Sequence, residues 1–212
     1  GRPDLFKPNA KKYTDEELIL RLRDGEEAIM DYIMDKYKNL VRKHARNMYI
    51  LGAEEQDLIQ EGMIGLFRAI KDYDSGRDAS FYTFADLCIS RKMYNAIEAS
   101  QREKHTPLNN YISLYTSSTT DTNDGKPILM DLLSAGEISN PETLLIDREN
   151  VEQIENLVAK ELSSFEKQVF DLYITGMKYG QIAKVLGRDE KSTDNALQRI
   201  KNKLKKVIQK ES

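Results

Sequence analysis

With one cysteine in 212 residues, Cys88, the chain has no partner for an internal disulfide, which fits a reducing compartment. Its two histidines, His44 and His105, lack a companion Cys or His at ligand spacing, so no metal site is expected from them. Two acidic loops, Asp72-x-Asp74-x-Gly76 and Asp121-x-Asn-Asp-Gly125, resemble the start of calcium loops. In both the glycine comes one place early, and Thr83 and Leu132 stand where the closing Glu belongs. Neither a glycine-rich phosphate loop nor a convincing nucleophile motif occurs, so no catalytic residue, cofactor or small-molecule substrate is expected. No stretch approaches the roughly 18 consecutive apolar residues of a membrane span, and the amino terminus has no signal-peptide apolar core. A cytoplasmic protein that makes no use of a membrane is expected. Strand-like alternation bounded by turn residues is also missing.

What the chain does have is charge, unevenly placed. The formal net charge is only -3. Yet Arg188, Lys191, Arg199, Lys201, Lys203, Lys205, Lys206 and Lys210 crowd the carboxyl-terminal stretch, while Asp121 to Glu149 is mostly acidic. A near-neutral total can hide a face suited to DNA. This length can bury one large core or two small ones, and the charge pattern argues for two.

Helical signals dominate. Thr14 with Glu17 is a capping-box pattern, and Gly25 is placed to end a short first helix. Ile29, Ile33, Tyr37, Val41, Ala45 and Met48 recur at helical spacing up to Gly52. The next helix runs from Asp57 to about Asp72. Its expected inner face is Ile59, Met63, Leu66, Phe67 and Ile70, leaving Asp57, Gln60, Glu61, Ile64, Gly65 and Arg68 outside. The turn Asp72 to Asp78 breaks the chain, and helix restarts near Ser80 and runs to about Gln101. Ser, Thr, Asp, Asn, Gly and Pro then concentrate in Ser117 to Pro127, which marks a linker. Helix resumes at Asn140-Pro141. Ser163 with Glu166 is a second capping box, and the helix it opens ends at Gly176. Tyr179 to Leu186 and Glu190 to about Lys206 complete the pattern. The expected fold is all-α, with two small helical domains at 14–105 and 140–212 joined by a linker at 106–139.

Three segments could bear function. The last helix pair, broken at Gly187-Arg-Asp189, has the spacing of a helix-turn-helix. Thr193, Ala196, Leu197, Ile200 and Leu204 would face inward, leaving Lys191, Ser192, Asp194, Asn195, Gln198, Arg199 and Asn202 outside. Such side chains read base edges and hold phosphates. An ordinary antiparallel helix pair with a solvated face remains open. Asp189 and Glu190 would repel phosphate unless they cap the helix or accept from cytosine N4. In the second segment Arg91, Asn95, Glu98 and Arg102, with Tyr94 beside them, form a polar and basic stripe; a merely solvated face remains open. In the third, Phe81, Tyr82 and Phe84 could stack on unpaired bases or lie in the core.

Strings of residues add a resemblance. Phe81-Tyr-Thr-Phe-Ala-Asp-Leu-Cys-Ile-Ser-Arg-Lys92 resembles Phe-Ser-Thr-Tyr-Ala-Thr-Trp-Trp-Ile-Arg-Gln-Ala of region 2.3 into 2.4 in bacterial sigma-70 family factors. Asp57-Leu-Ile-Gln-Glu-Gly62 with Gly65-Leu-Phe-Arg-Ala69 resembles region 2.2, which docks on core RNA polymerase, and the last helix pair resembles region 4.2, which binds the −35 element. His105-x-Pro-Leu-Asn-x-Tyr-x-Ser-Leu and Asp194-Asn-Ala-Leu-Gln-Arg199 are most similar to the sporulation-type sigma-H factors. The resemblance implies core docking by Asp57, Gln60, Glu61 and Gly65, and promoter melting around Tyr82. It implies −10 reading by Arg91, Tyr94 and Asn95, and −35 reading by Lys191, Ser192, Asp194 and Asn195. The implied partners are core RNA polymerase, promoter DNA and an anti-sigma factor.

Departures matter. Leu87-Cys88 stands where primary factors carry a tryptophan pair, and Ser113-Leu with Asp131-Leu-Leu resembles the linker that threads toward the polymerase active centre. The acidic amino-terminal extension and third helical domain of primary factors have no counterpart here, which points to an alternative factor. The rival reading is a helix-turn-helix regulator acting on duplex DNA without polymerase; a third is a helical adaptor with solvated basic faces.

Overall fold

A computed structural model describes residues 12–103, 154 and 156–209, the side chains at 102, 103 and 207–209 excepted. Every regular element among them is a helix and no strand occurs. The first of two compact units holds α1 (Asp15–Arg23), α2 (Ala28–Met48), α3 (Glu55–Asp72) and α4 (Phe81–Glu103). The second holds α5 (Ser164–Ile174), α6 (Tyr179–Leu186) and α7 (Glu190–Gln209). The expected linker at 106–139 and the helix start at Asn140-Pro141 lie outside the described residues. None of the described helices is long and apolar enough to cross a membrane.

Helix α1 is short and is held by its polar ends. Thr14 Oγ1 accepts from the Glu17 amide at 3.2 Å and Glu17 returns a carboxylate to the Thr14 amide at 2.8 Å, the reciprocal capping box expected from the sequence. Its two flanking charges then serve other helices. Glu16 Oε1 accepts from the Phe81 amide at 2.8 Å, at the positive end of α4, and Arg23 Nη2 donates to the Lys71 and Tyr73 carbonyls, at the negative end of α3. Each charge opposes the dipole it meets and satisfies a backbone group the helix itself cannot. Asp15 adds bonds from Lys36 Nζ and the Tyr37 hydroxyl, both at 2.6 Å, which tie α1 to α2.

Helices α3 and α4 pack along a seam of small residues. The buried side of α3 is Leu58, Gly62, Gly65, Leu66, Ala69 and Ile70. Two expectations are thereby corrected: Gly65 faces inward, and Phe67 lies on the outside at 38% exposure. A Cβ at Gly65 would stand 2.9 Å from the Cys88 carbonyl oxygen and 3.0 Å from Lys92 Cβ. Hydrophobicity ranks Phe above Gly for the interior, but here the helices come too close for a side chain, so the helix turns Phe67 outward.

In the second unit Ser163 and Glu166 make the second capping box, with Glu166 amide to Ser163 Oγ at 3.2 Å and Ser163 amide to Glu166 Oε2 at 3.1 Å. Phe170, Leu172, Ile182, Ala183, Ile200 and Leu204 form the apolar centre between the three helices.

Replacing Gly65 with Ala adds helix propensity of about 1 kcal/mol but overpacks against a backbone carbonyl at roughly 1–3 kcal/mol. A net loss of up to about 2 kcal/mol is expected. Thermal unfolding followed by circular dichroism checks this; a higher melting temperature, as open space at this position would give, would remove the close seam.

Candidate functional site

On α3 the exposed positions recur three and four apart as Asp57, Gln60, Ile64, Phe67 and Lys71, a single outer stripe. Ile64 is 44% exposed, and the Lys71 ammonium sits 4.5 Å from the centre of the Phe67 ring. Glu61 lies at the edge of this stripe, half-buried, with Oε2 3.3 Å from Lys92 Nζ on α4. Gly65 lies beneath it. Phe67 is the member that hydrophobic ranking missed. The spacing Gly62, Gly65 and Ala69 was the available signal, since small residues three and four apart mark a close helix contact.

The aromatic cluster of α4 separates into three environments. Phe81 is fully buried, edge-on to Tyr37 at 5.2 Å and to Tyr73 at 5.4 Å, so its expected role on single-stranded DNA is corrected to core packing. Tyr82, next in sequence, is 55% exposed. Phe84 is half-buried against Tyr73 at 5.7 Å. One residue is 100° on a helix, so neighbours in sequence meet different surroundings.

From Phe84 the helical spacing continues through half-buried Cys88 to exposed Arg91 and Asn95 along one side. Tyr94 is 2% exposed, which corrects its expected place on the DNA-facing stripe. The buried side of α4 is wide: Ser90, Met93, Tyr94 and Ile97 all belong to it. The Arg102 side chain lies outside the described residues. Burial pushes the Cys88 thiol up, so it stays protonated. His44 Nε2 lies 2.7 Å from Asp86 Oδ1 and links α2 to the same helix.

The helix-turn-helix geometry is explicit. Gly187 has φ 65°, in the left-handed region that glycine adopts without strain, and the Arg188 amide reaches back to the Ala183 carbonyl at 2.9 Å. Asp189 then caps α7, with Oδ1 accepting from the Ser192 amide at 2.8 Å and Oδ2 from the Ser192 hydroxyl at 2.6 Å. These bonds hold the Asp189 carboxyl below its ordinary range. Of the two roles open to this acid, capping is the one it takes. Thr193, Ala196, Leu197, Ile200 and Leu204 are buried as the spacing predicts. Lys191, Asn195 and Gln198 are exposed, and Ser192 and Asp194 half-buried.

Arg199 differs from its neighbours. Its Nε donates to Glu166 Oε1 at 2.9 Å, and Lys203 Nζ donates to Glu166 Oε2 at 2.8 Å. Glu166 is 4% exposed. Burial disfavours its charge, but bonds from Lys203, Arg199 and the Ser163 amide outweigh that and hold the carboxyl down at about 2.

Residues 33–103 match the family model described as Sigma-70 region 2. The chain is 40% identical over 195 residues to the RNA polymerase sigma-H factor of Bacillus licheniformis, covering 92% of this chain and 86% of that protein. Identity to the RNA polymerase sigma-H factor of Bacillus subtilis (strain 168) is also 40% over 195 residues, covering 92% and 88%. The chain belongs to the sigma-70 family of RNA polymerase sigma factors and is similar to sigma-H. A crystal structure of the sigma-H factor from Fusobacterium nucleatum is 32% identical, covers 73% of this sigma factor and 95% of that chain, and superposes with a TM-score of 0.29. Because the sequence likeness spans both units of this sigma factor, the reading as a regulator that works without polymerase is not favoured.

Two measurements check the placements. Phe81→Ala is expected to cost roughly 3–5 kcal/mol of stability, and Tyr82→Ala less than about 0.5 kcal/mol; similar losses from both would contradict their different environments. Glu166 has a lowered folded-state value, so it stabilises the protein above its ordinary pKa and loses that contribution as pH falls through about 2. Between pH 7 and 2 the unfolding free energy of wild type should fall by roughly 2–3 kcal/mol more than that of Glu166→Gln. Parallel pH curves for the two proteins would overturn this account.

Proposed function

We propose a division of labour for this sigma factor, which as a family member binds core RNA polymerase and directs it to promoters for initiation. Core polymerase docks on α3 through Asp57, Gln60 and Glu61, and Ile64 and Phe67 extend that surface. Gly65 serves it from beneath, by fixing how α3 sits on α4. The upstream edge of the −10 element is read by Arg91 and Asn95, with Tyr94 supporting the helix from its buried side and Arg102 continuing the stripe. Tyr82 and Phe84 take unpaired bases of the melted strand, where stacking contributes roughly 1–3 kcal/mol per base. Lys191, Ser192, Asp194, Asn195 and Gln198 on α7 meet the −35 element, with Arg199 at the flank. The protein works in the cytoplasm as an alternative initiation factor, performs no catalysis of its own, and is open to control by an anti-sigma factor.

The observation that carries the reading is the pairing of α3 with α4. One rigid two-helix contact presents an acidic and apolar stripe on α3 and a basic and polar stripe on α4, as a protein that joins polymerase to DNA needs. In a titration of purified core polymerase with labelled full-length chain, Gln60→Ala combined with Phe67→Ala is expected to weaken binding at least about tenfold, or 1.4 kcal/mol. Wild-type affinity in that variant, with its fold intact, would sink the docking assignment.

A further inference from the structure

Glu166 is a buried acid of the second unit that holds two cations of another helix at once. Its carboxylate sits on α5, and its two oxygens meet Arg199 Nε at 2.9 Å and Lys203 Nζ at 2.8 Å, one helical turn apart on α7. Lys203 Nζ also donates to the Glu161 carbonyl at 2.7 Å. The apolar contact of α7 with its unit runs through Ala196, Leu197, Ile200 and Leu204. Apolar packing resists separation but is non-directional and sets the roll of a helix only loosely. Charge-assisted hydrogen bonds to two successive turns are directional and define roll and axial position together.

Roll matters on this helix. Turning α7 by about 20° carries a side-chain tip roughly 6 Å from the axis through about 2 Å, more than a base-edge hydrogen bond tolerates. Lys191, Asn195 and Gln198 share the exposed side of the helix whose flank Glu166 holds. More than half of the Arg199 side chain stays exposed while its Nε is engaged, at 53%. The guanidinium is therefore oriented from behind.

We propose that Glu166 is a positioning residue for promoter selection: by holding Arg199 and Lys203 it sets the roll of α7, and Arg199 serves as the hinge of that device rather than as a reader of bases. The proposal rests on the reading of α7 as the −35 helix. It assigns specificity to a residue that touches no DNA.

The test uses the full-length chain bound to core polymerase and a promoter fragment that the wild-type holoenzyme selects from a randomised pool. Dissociation constants are measured for that fragment and for the same fragment with its −35 element scrambled. Loss of folded protein weakens binding to both fragments alike and leaves their ratio unchanged. Glu166→Gln, which keeps the shape and the capping acceptor but removes the charge, is expected to lower the ratio about tenfold. Arg199→Lys, which keeps the charge but not the Nε geometry, should lower it in the same direction and decides the matter alone if Glu166→Gln does not fold. Ratios within about twofold of wild type in these variants, with Asn195→Ala losing selectivity, would overturn the positioning role alone. If Asn195→Ala also kept the wild-type ratio, the assignment of α7 to the −35 element would fall with it.

Discussion

At Gly65 the backbone of α3 passes so close to the Cys88 carbonyl of α4 that the space where a Cβ would stand is already taken. That contact decides which residues of both helices can reach a partner. With Gly62, Gly65 and Ala69 turned inward, Asp57, Gln60, Ile64 and Phe67 have to face out. On α4 the matching buried side takes Phe81, Ile89, Met93 and Tyr94, and leaves Phe84, Arg91 and Asn95 at or near the surface. The candidate docking and promoter-reading stripes are thus two consequences of one close approach.

Charge holds what packing alone leaves loose. In the first unit Glu16 meets the amino end of α4 and Arg23 the carboxyl end of α3, so a nine-residue helix bridges two long ones through their unsatisfied backbone groups. In the second unit a single buried carboxylate, Glu166, caps its own helix and ties down two turns of α7. In both units the apolar centre supplies most of the driving force, and a few directional bonds select one arrangement within it. Ionised Glu166 contributes stability, and because both of its bonds are directional it also fixes orientation.

Helices and their ends were legible because their causes are local. Thr14 with Glu17, Ser163 with Glu166, Gly187 and the apolar spacing of Thr193 to Leu204 act over a turn or two of chain, and each appears where its sequence pattern puts it. The helix-turn-helix was readable for the same reason. The candidate site was legible only in part. Asp57, Gln60, Arg91, Asn95 and Lys191 are exposed as expected. Gly65 is buried against Cys88 and Phe81 against Tyr37 and Tyr73, all outside their own helical turn, and Tyr94 falls on the wide inner side of α4; no local rule weighs such packing. Ranking by hydrophobicity also misplaced Phe67, because it has no measure of how near two helices come.

By itself the sequence determined that the chain is helical, where most helices begin and end, and, through its family strings, that it is a sigma factor. Those properties follow from backbone capping, side-chain period and motif order, all of which are written along the chain. Which aromatic among Phe81, Tyr82 and Phe84 is exposed, whether Gly65 or Phe67 faces outward, and that Arg199 is engaged by Glu166 were decided only by the tertiary structure. Exposure and ion pairing depend on what distant segments occupy the neighbouring space, and that space exists only once the helices have packed.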